Sequence, residues 1–298
     1  MGKSKVDIHH EVKQQLRSLE RFGESKYEAK KAGTMKDGIY SYDTARAYNK
    51  ACQAFAEYVR EQAPMGRHTT LEEARAYARG FISREIEQGK SPYTVKLERA
   101  ALGKLYGCKG TEFGEVPNRS RDSITRSRER VIISEKTGKE ILNPRTRAGH
   151  FSEKNNAAVV SFAKSTGLRR SELEALKGDQ LRLTENGYAI AVKGKGGRER
   201  LAPVRGDVNA VVERMRAAGS SRVFEKVPAA MDVHHYRSVY ASELYKEHAR
   251  AKDEIPRDKR YCCRGELKGT WYDRDAMKYV SEALGHSRVS VIAEHYLR

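Results

Sequence analysis

No run of about 18 apolar residues occurs in the 298-residue chain, so no membrane-spanning helix and no membrane partner are expected. The opening residues, Met1 to Asp7, lack the apolar core of a signal peptide, which points to a soluble protein of the cytoplasm. Cysteine is sparse: four copies are present, a number that fits a reducing compartment. Cys52 sits in a helical pattern, Cys108 just past the end of another, and Cys262 and Cys263 are adjacent and form no C-x-x-C pair. This usage argues against a structural zinc site. The phosphate-cradling pattern G-x-x-x-x-G-K-S/T is missing, which leaves coupling to nucleotide hydrolysis without support. H-E-x-x-H is missing too, and with it any usual ligand spacing for a metal-dependent hydrolase built on His234, His235, His286 and His295. Internal repeats and low-complexity segments are also absent.

What the chain has in excess is positive charge. Lys and Arg number 58 against 40 Asp and Glu, a formal net charge of +18. By itself such a surplus suits any polyanion, DNA or RNA first and an anionic membrane second, and the expectation is a nucleic acid and no membrane. The length is enough for two domains of ordinary size, each with its own core.

Ile8, Val12, Leu16, Leu19 and Phe22 recur at helical spacing and Gly23 closes the pattern, predicting an opening amphipathic helix. A basic, glycine-containing connector follows from Lys26 to Gly38. Tyr48, Cys52, Phe55 and Val59 make a second helical stripe, which fades at Ala63-Pro64. Thr70 with Glu73 is a capping box, opening a helix that runs to about Gln88 before Gly89 ends it. Ser91-Pro92 then starts a helix bearing Leu97, Ala101, Leu102 and Leu105, stopped by Gly107. Together these predict a small helical domain over residues 39–115, preceded by a helix and connector over 1–38. Arg119 to Arg147 holds nine Arg or Lys and four Asp or Glu. It reads as an exposed basic linker, residues 116–150, with a short strand at Val131 to Ile133. Such a run serves equally as a solvated surface and as a path along a phosphate backbone.

A second domain is expected over 151–298. Ser152 caps a helix carrying Ala158, Val159, Phe162 and Ala163. Thr166 to Leu176 then reads T-G-L-R-R-S-E-L-E-A-L. Ser171 and Glu174 have capping-box spacing, predicting a helix from Glu172 with Arg169 and Arg170 in the turn that feeds it. Guanidinium groups beside the exposed N–H groups of a helix start suit a phosphate, although a capped helix with solvated arginines has the same pattern. The apolar runs Tyr188 to Val192 and Leu201 to Val204 flank K-G-K-G-G-R-E-R, a hairpin with a basic, glycine-rich tip. Ala210, Val211 and Met215 suggest a further helix. His234 and Arg237 lie on one helix face. Ile255 to Tyr272 is irregular, with room for a second hairpin. Asp273 caps a helix with Met277, Val280 and Leu284, stopped by Gly285, and a last helix holds Val289, Ile292, Ala293 and Tyr296.

Each piece has a structural explanation by itself, and Tyr296 reads equally well as a core residue. In this order, however, T-G-L-R-R-S-E-L, V-K-G-K-G-G-R-E-R-L-A-P-V, H-H-Y-R, L-G-H-S and a following Tyr resemble the catalytic domain of the tyrosine recombinases, the phage integrase family. The resemblance covers about residues 151–298. By helix spacing and position, residues 40–110 look like the family's core-binding domain. It implies a mainly α fold with small β-hairpin elements, in which a helical core-binding domain and an α+β catalytic domain form a two-domain clamp on double-stranded DNA. The implied function is site-specific recombination through a covalent 3′-phosphotyrosine, serving integration or excision of a mobile element. Arg169 matches the first catalytic arginine, with Glu172 as a supporting acid. Lys195 matches the hairpin lysine, His234 and Arg237 the H-x-x-R pair, His286 the L-G-H histidine and Tyr296 the nucleophile. No metal and no cofactor are expected. The implied partners are a homotetramer on two DNA sites, monomeric without DNA, and accessory DNA-bending or directionality factors, in a bacterial or phage-host cell.

The chemistry accounts for these residue types. A phosphodiester attacked by a phenol develops negative charge on two non-bridging oxygens, which two arginines hold in place of a metal ion. A phenol of pKa about 10 is protonated at neutral pH, and His234 is expected to accept its proton. Lys195 is expected to protonate the 5′ leaving oxygen, and the phosphotyrosine conserves the bond energy, so resealing needs no ATP. Family members commonly place the tyrosine nine residues after the L-G-H histidine, whereas here the ninth is His295 and Tyr296 the tenth. The interval from Arg237 to His286 is also long, because of Tyr261 to Tyr272. Only Leu297 and Arg298 follow the tyrosine, so exchange of a C-terminal segment between protomers is not expected. The opening helix is a candidate link to a neighbour, against the reading that it folds back on its own domain. Two rivals share parts of this reading: a topoisomerase-like strand swivelase, and a catalytically silent DNA-binding protein of the same fold.

Overall fold

Asp7 accepts a hydrogen bond from the His9 N–H and so caps the first helix, α1 (Ile8–Ser18), in a computed structural model that describes residues 7–34, 38–118, 131–134, 136–143, 147–194 and 199–297. The chain divides into two units, residues 1–126 and 127–298. In the first, Ile8, Val12 and Leu16 are buried in one core with Phe55, Val59, Phe81 and Leu102. Full burial of each such side chain contributes roughly 1.5–3 kcal/mol. The Glu11 carboxylate also accepts from the Leu71 N–H at 2.6 Å. Of the two readings of the opening helix, folding back on its own unit is therefore the observed one. It ends before Phe22, whose ring lies 4.1 Å from that of Tyr42. The predicted connector contains a short helix, α2 (Lys26–Lys31), capped by Ser25, while residues 35–37 fall outside the described residues.

The central helix of this unit, α3 (Tyr42–Gln62), buries Cys52, Phe55 and Val59 as their spacing predicts. The Thr70–Glu73 capping box is present, but the helix it opens is interrupted. α4 (Leu71–Ala74) passes through a tight turn at Arg75–Tyr77 into α5 (Ala78–Glu87). α6 (Pro92–Leu105) starts at Ser91-Pro92 as expected.

The second unit opens with an antiparallel hairpin of β1 (Val131–Ile133) and β2 (Glu140–Leu142). Within the predicted basic linker, residues 119–130, 135 and 144–146 lie outside the described residues. α7 (Ala157–Thr166) and α8 (Arg170–Ala175) lead to a three-stranded antiparallel sheet of β3 (Leu181–Thr184), β4 (Gly187–Lys193) and β5 (Glu199–Pro203), in that order. The predicted hairpin is β4–β5, with Ile190 opposite Ala202 and Val192 opposite Arg200. β3 adds a strand that the sequence reading lacked. α9 (Val208–Ala218) follows, then α10 (Val233–His248), a hairpin of β6 (Arg260–Cys262) and β7 (Trp271–Asp273), α11 (Arg274–Leu284) and α12 (Ser290–His295). The architecture is mainly α with small antiparallel sheets.

α10 is the spine of this unit. Tyr236 belongs to the core made by α7, α8 and the sheet, whereas Tyr240, Ala241 and Leu244 pack with α11 and α12. Asp273 caps α11 and is 1 % exposed; Arg250 grips it through Nε and Nη2 at 2.6 and 2.7 Å. Among the described residues, no helix is long and apolar enough to cross a membrane.

Candidate active site

α7 ends at Gly167, which adopts φ +59°. A side chain there would be strained, and its Cβ would fall 2.3 Å from the Tyr240 ring, so the T-G-L-R turn needs glycine for conformation and for space. The turn delivers Arg169 to the start of α8. Here the predicted capping box is displaced. The helix begins at Arg170 with Arg169 as its N-cap, and Glu172, not Glu174, turns back so that its carboxylate accepts from the Arg169 N–H at 2.7 Å. Spacing alone favoured Ser171 as the cap because serine is a good capping residue. What decides is Glu172, 7 % exposed, whose carboxylate also accepts from Arg169 Nη1 at 2.9 Å.

Arg170 lies on the wall of the same cleft as Arg169, but its hydrogen bonds go to the protein itself. Its guanidinium donates to the carbonyls of Pro228 and Met231, at 3.1 and 2.6 Å, and so holds the chain that leads into α10. Asp232 caps α10 by accepting from the His235 N–H, and the first turns of that helix carry His234 and Arg237. Arg237 is 3 % exposed. Its Nη1 donates to the Gly167 carbonyl and its Nη2 to the Leu284 carbonyl, while Arg169 Nη2 donates to that same carbonyl at 3.2 Å. The C-terminal end of α11 thus draws the two guanidinium groups together, as the partial negative charge of a helix C-terminus favours.

Tyr296 stands just past α12, as its C-cap, and is 7 % exposed. Its Oη lies 3.3 Å from Arg237 Nε and 3.2 Å from His286 Nε2. The ten-residue interval is therefore accommodated by setting the tyrosine at the end of a short helix. Arginine only donates, so the phenolic oxygen accepts from Arg237 Nε. Arg237 Nη2 also approaches His286 Nε2, at 3.5 Å, which makes that nitrogen the acceptor and leaves the phenolic proton directed at it. Burial, reinforced by Arg237, Arg169 and Arg200, lowers the pKa of His286 to about 4. The imidazole is neutral at pH 7 and its lone pair is available. Burial also lowers His234 from its usual value, against the opposing pull of Asp232. Its ring centre lies 5.7 Å from that of Tyr296. Proton acceptance was expected of His234; the imidazole within hydrogen-bonding distance of the phenol is that of His286.

Arg169, His234, Arg237 and Tyr296 line one cleft of about 460 Å³, and His286 reaches it through Tyr296. Lys195, in the stretch of sequence between β4 and β5, lies outside the described residues. Among the described residues no group of three or more His, Cys, Asp or Glu is placed to hold a metal ion. The sequence reading missed Arg200, which is bound to Glu172 through Nη1 and Nη2 at 2.8 and 2.9 Å. The available signal was period two along β5: Arg200 shares a face with Ala202, which is fully buried.

No family model matches the chain. By sequence it is similar to the tyrosine recombinase XerC of Thermodesulfovibrio yellowstonii, 29 % identical over 168 residues, covering 55 % of this chain and 52 % of that protein. It is also similar to the tyrosine recombinase XerD of Rhizobium meliloti, 30 % identical over 144 residues, covering 45 % of this chain and 44 % of the relative. The chain thus spans about half the length of the curated relatives it matches. Among solved structures, the XerH site-specific recombinase bound to palindromic difH in a post-cleavage complex aligns with 16 % identity and a TM-score of 0.49, covering 99 % of this chain and 87 % of that one.

Proposed function

Starting from a chain whose curated relatives are tyrosine recombinases, we propose that this protein cleaves and rejoins DNA at specific sites through a 3′-phosphotyrosine, for integration or excision of a mobile element. The observation that carries the proposal is the placement of the Tyr296 hydroxyl between a donor, Arg237 Nε, and an acceptor, His286 Nε2.

In the proposed reaction Arg169 and Arg237 bind the non-bridging oxygens of the scissile phosphate. Tyr296 Oη attacks phosphorus as its proton passes to His286, and Arg237 Nε stabilises the charge left on the phenolic oxygen. His234, on the wall of the same cleft, is assigned a hydrogen bond to the phosphate. The P–O5′ bond breaks, and Lys195 supplies the proton that the 5′ oxygen takes up. Glu172 keeps Arg169 in place. A 5′ hydroxyl from another strand then attacks the phosphotyrosine and restores the phosphodiester, with Tyr296 as leaving group. The first unit, with its helices α3 to α6, is assigned core binding, and the second catalysis. The assembly is proposed as a homotetramer on two DNA sites, monomeric without DNA and aided by accessory DNA-bending or directionality factors.

The test is an assay on DNA selected from a random pool by the purified protein. Exchange of flanks that requires two copies of the selected site supports the proposal. Relaxation of a supercoiled plasmid carrying a single site, without exchange between two, assigns the strand-swivelling reaction instead. Binding with neither outcome assigns a catalytically silent DNA-binding protein.

A further inference from the structure

Arg200 sits beside the proposed cleavage site without lining its cleft. Its side chain is 6 % exposed, and all three guanidinium nitrogens are engaged. Nη1 and Nη2 donate to the two carboxylate oxygens of Glu172, at 2.8 and 2.9 Å, and Nε donates to the Ala283 carbonyl at 2.8 Å. The side chain crosses Gly285, where a Cβ would fall 2.8 Å from Arg200 Cδ and where φ is +67°. The glycine of L-G-H therefore leaves room for an arginine delivered by the β4–β5 hairpin. Arg200 joins three segments at one point: the start of α8, the sheet and the end of α11.

The Glu172 carboxylate accepts four hydrogen bonds, two from Arg169 and two from Arg200. That fills the lone-pair positions such a group offers. Burial opposes its ionisation, but these donors, led by Arg200, lower its pKa to about 2. The carboxylate thus remains charged, and it needs more than one cation beside it. With Arg200 present, one of two positive charges offsets it and the other is left over, so Arg169 keeps a net charge for a ligand. Without Arg200 the buried carboxylate has Arg169 as its one ion partner in this cluster. The cost of an unpaired buried charge then draws Arg169 into a closed pair.

We infer that Arg200 is a positioning residue for cleavage: it takes up the charge of Glu172 so that Arg169 remains available to the scissile phosphate. The inference rests on the proposed cleavage chemistry for its consequence and on the four-bonded carboxylate for its cause. Together with Arg237, the cluster carries two net positive charges, which match the two negative charges of the phosphorane formed when phenolate meets phosphodiester. Arg200 itself touches no reacting atom.

The test uses the full-length protein and DNA selected by the wild-type chain. Arg200→Met is expected to slow single-turnover cleavage by about a hundredfold, in the range for loss of one transition-state donor, while DNA affinity stays within about twofold. Arg200→Lys should recover part of the rate, because an ammonium supplies the charge without the planar fork. The decisive variant is Glu172→Gln combined with Arg200→Met, which removes both buried charges and frees Arg169. It should cleave at least about tenfold faster than Arg200→Met alone, a recovery that a purely structural role for Arg200 does not produce. A double variant no faster than the single one, or an Arg200→Met protein that cleaves at the wild-type rate, overturns the inference. If Arg200→Met does not fold, the double variant decides alone: cleavage within about tenfold of wild type supports the inference and slower cleavage overturns it. A second readout needs no DNA. Inorganic phosphate at constant ionic strength should raise the melting temperature of the wild type and of the double variant, but not that of Arg200→Met. If the wild type forms no adduct with any DNA, the cleavage proposal fails, and the phosphate measurement still decides the role of Arg200.

Discussion

Arg169 and Arg237 are held by backbone carbonyls before any substrate arrives, and that prior organisation determines what their loss costs. Both donate to the Leu284 carbonyl, and Arg237 also to that of Gly167. Their orientation is therefore settled by the fold. Replacing either by Ala is expected to slow single-turnover cleavage by about 10²–10³, with little change in DNA affinity, because the lost interaction is with charge that develops in the transition state. A variant that weakens binding and cleavage equally would assign that arginine to ground-state binding.

His286 sets the pH response. Burial lowers its pKa from the usual 6.5 to about 4, so in this window the unfolded chain binds the proton and the folded chain does not. Stability is therefore complete above about pH 6.5 and declines as pH falls towards 4. Glu172, lowered from 4.5 to about 2 by Arg200 and Arg169 against the cost of burial, adds a further loss between about pH 4.5 and 2. Urea midpoints measured from pH 7 to pH 4 should fall, and fall less in His286→Asn than in wild type. An unchanged slope in that variant would show that His286 is not the titrating group. That these side chains gather at one place was legible in the motifs, because T-G-L-R, H-x-x-R and L-G-H name the residues that the structure brings together. The partner of the phenolic hydroxyl was not legible. His234 and His286 are equally good bases on paper, and only the packing of α11 and α12 against α10 places one of them 3.2 Å from Tyr296 Oη.

At the scale of elements, periodicity located the helices well and misjudged their ends. α3 follows its apolar stripe and Asp273 caps α11 as its position implies, whereas α6 buries Val95 with Ala101, Leu102 and Leu105 and leaves Leu97, expected on the stripe, exposed. α8 starts earlier than the Ser171–Glu174 spacing suggested, because a buried Glu172 bound by two arginines outweighs a serine cap. The fate of α1 was undecidable from its stripe alone, since an apolar face fits its own domain as well as a neighbour. The structure buries Ile8, Val12 and Leu16 with Phe55 and Val59. Deleting residues 1–25 is accordingly expected to destabilise the first unit by several kcal/mol, the combined cost of uncovering these side chains and the faces they cover. Thermal unfolding measures this directly. A truncated protein that melts with the wild type would show that α1 contributes nothing to the core it occupies.

For the whole molecule, the net charge of +18 is expected to dominate affinity for DNA. If six to ten phosphates are neutralised, the association constant should fall by about 10³–10⁵ between 50 and 200 mM salt. A titration in which binding hardly changes over that range would mean that few phosphates are contacted. The charge surplus was visible in the composition, but composition cannot show which basic side chains are already occupied. Arg170, Arg200 and Arg250 already serve carbonyls and carboxylates inside the second unit, and the buried Arg200 presents no surface to a phosphate backbone.

Everything proposed about function depends on one bond, between Tyr296 Oη and a DNA 3′ phosphate. The direct measurement is to incubate the protein with selected DNA carrying a nick next to the cleavage position, digest the adduct with protease and nuclease, and sequence the nucleotide-bearing peptide by mass spectrometry. The modified residue should be Tyr296, and Tyr296→Phe should bind the same DNA but yield no adduct. A nucleotide attached to any other residue, Tyr279 included, or an adduct of equal yield from Tyr296→Phe, would contradict the account.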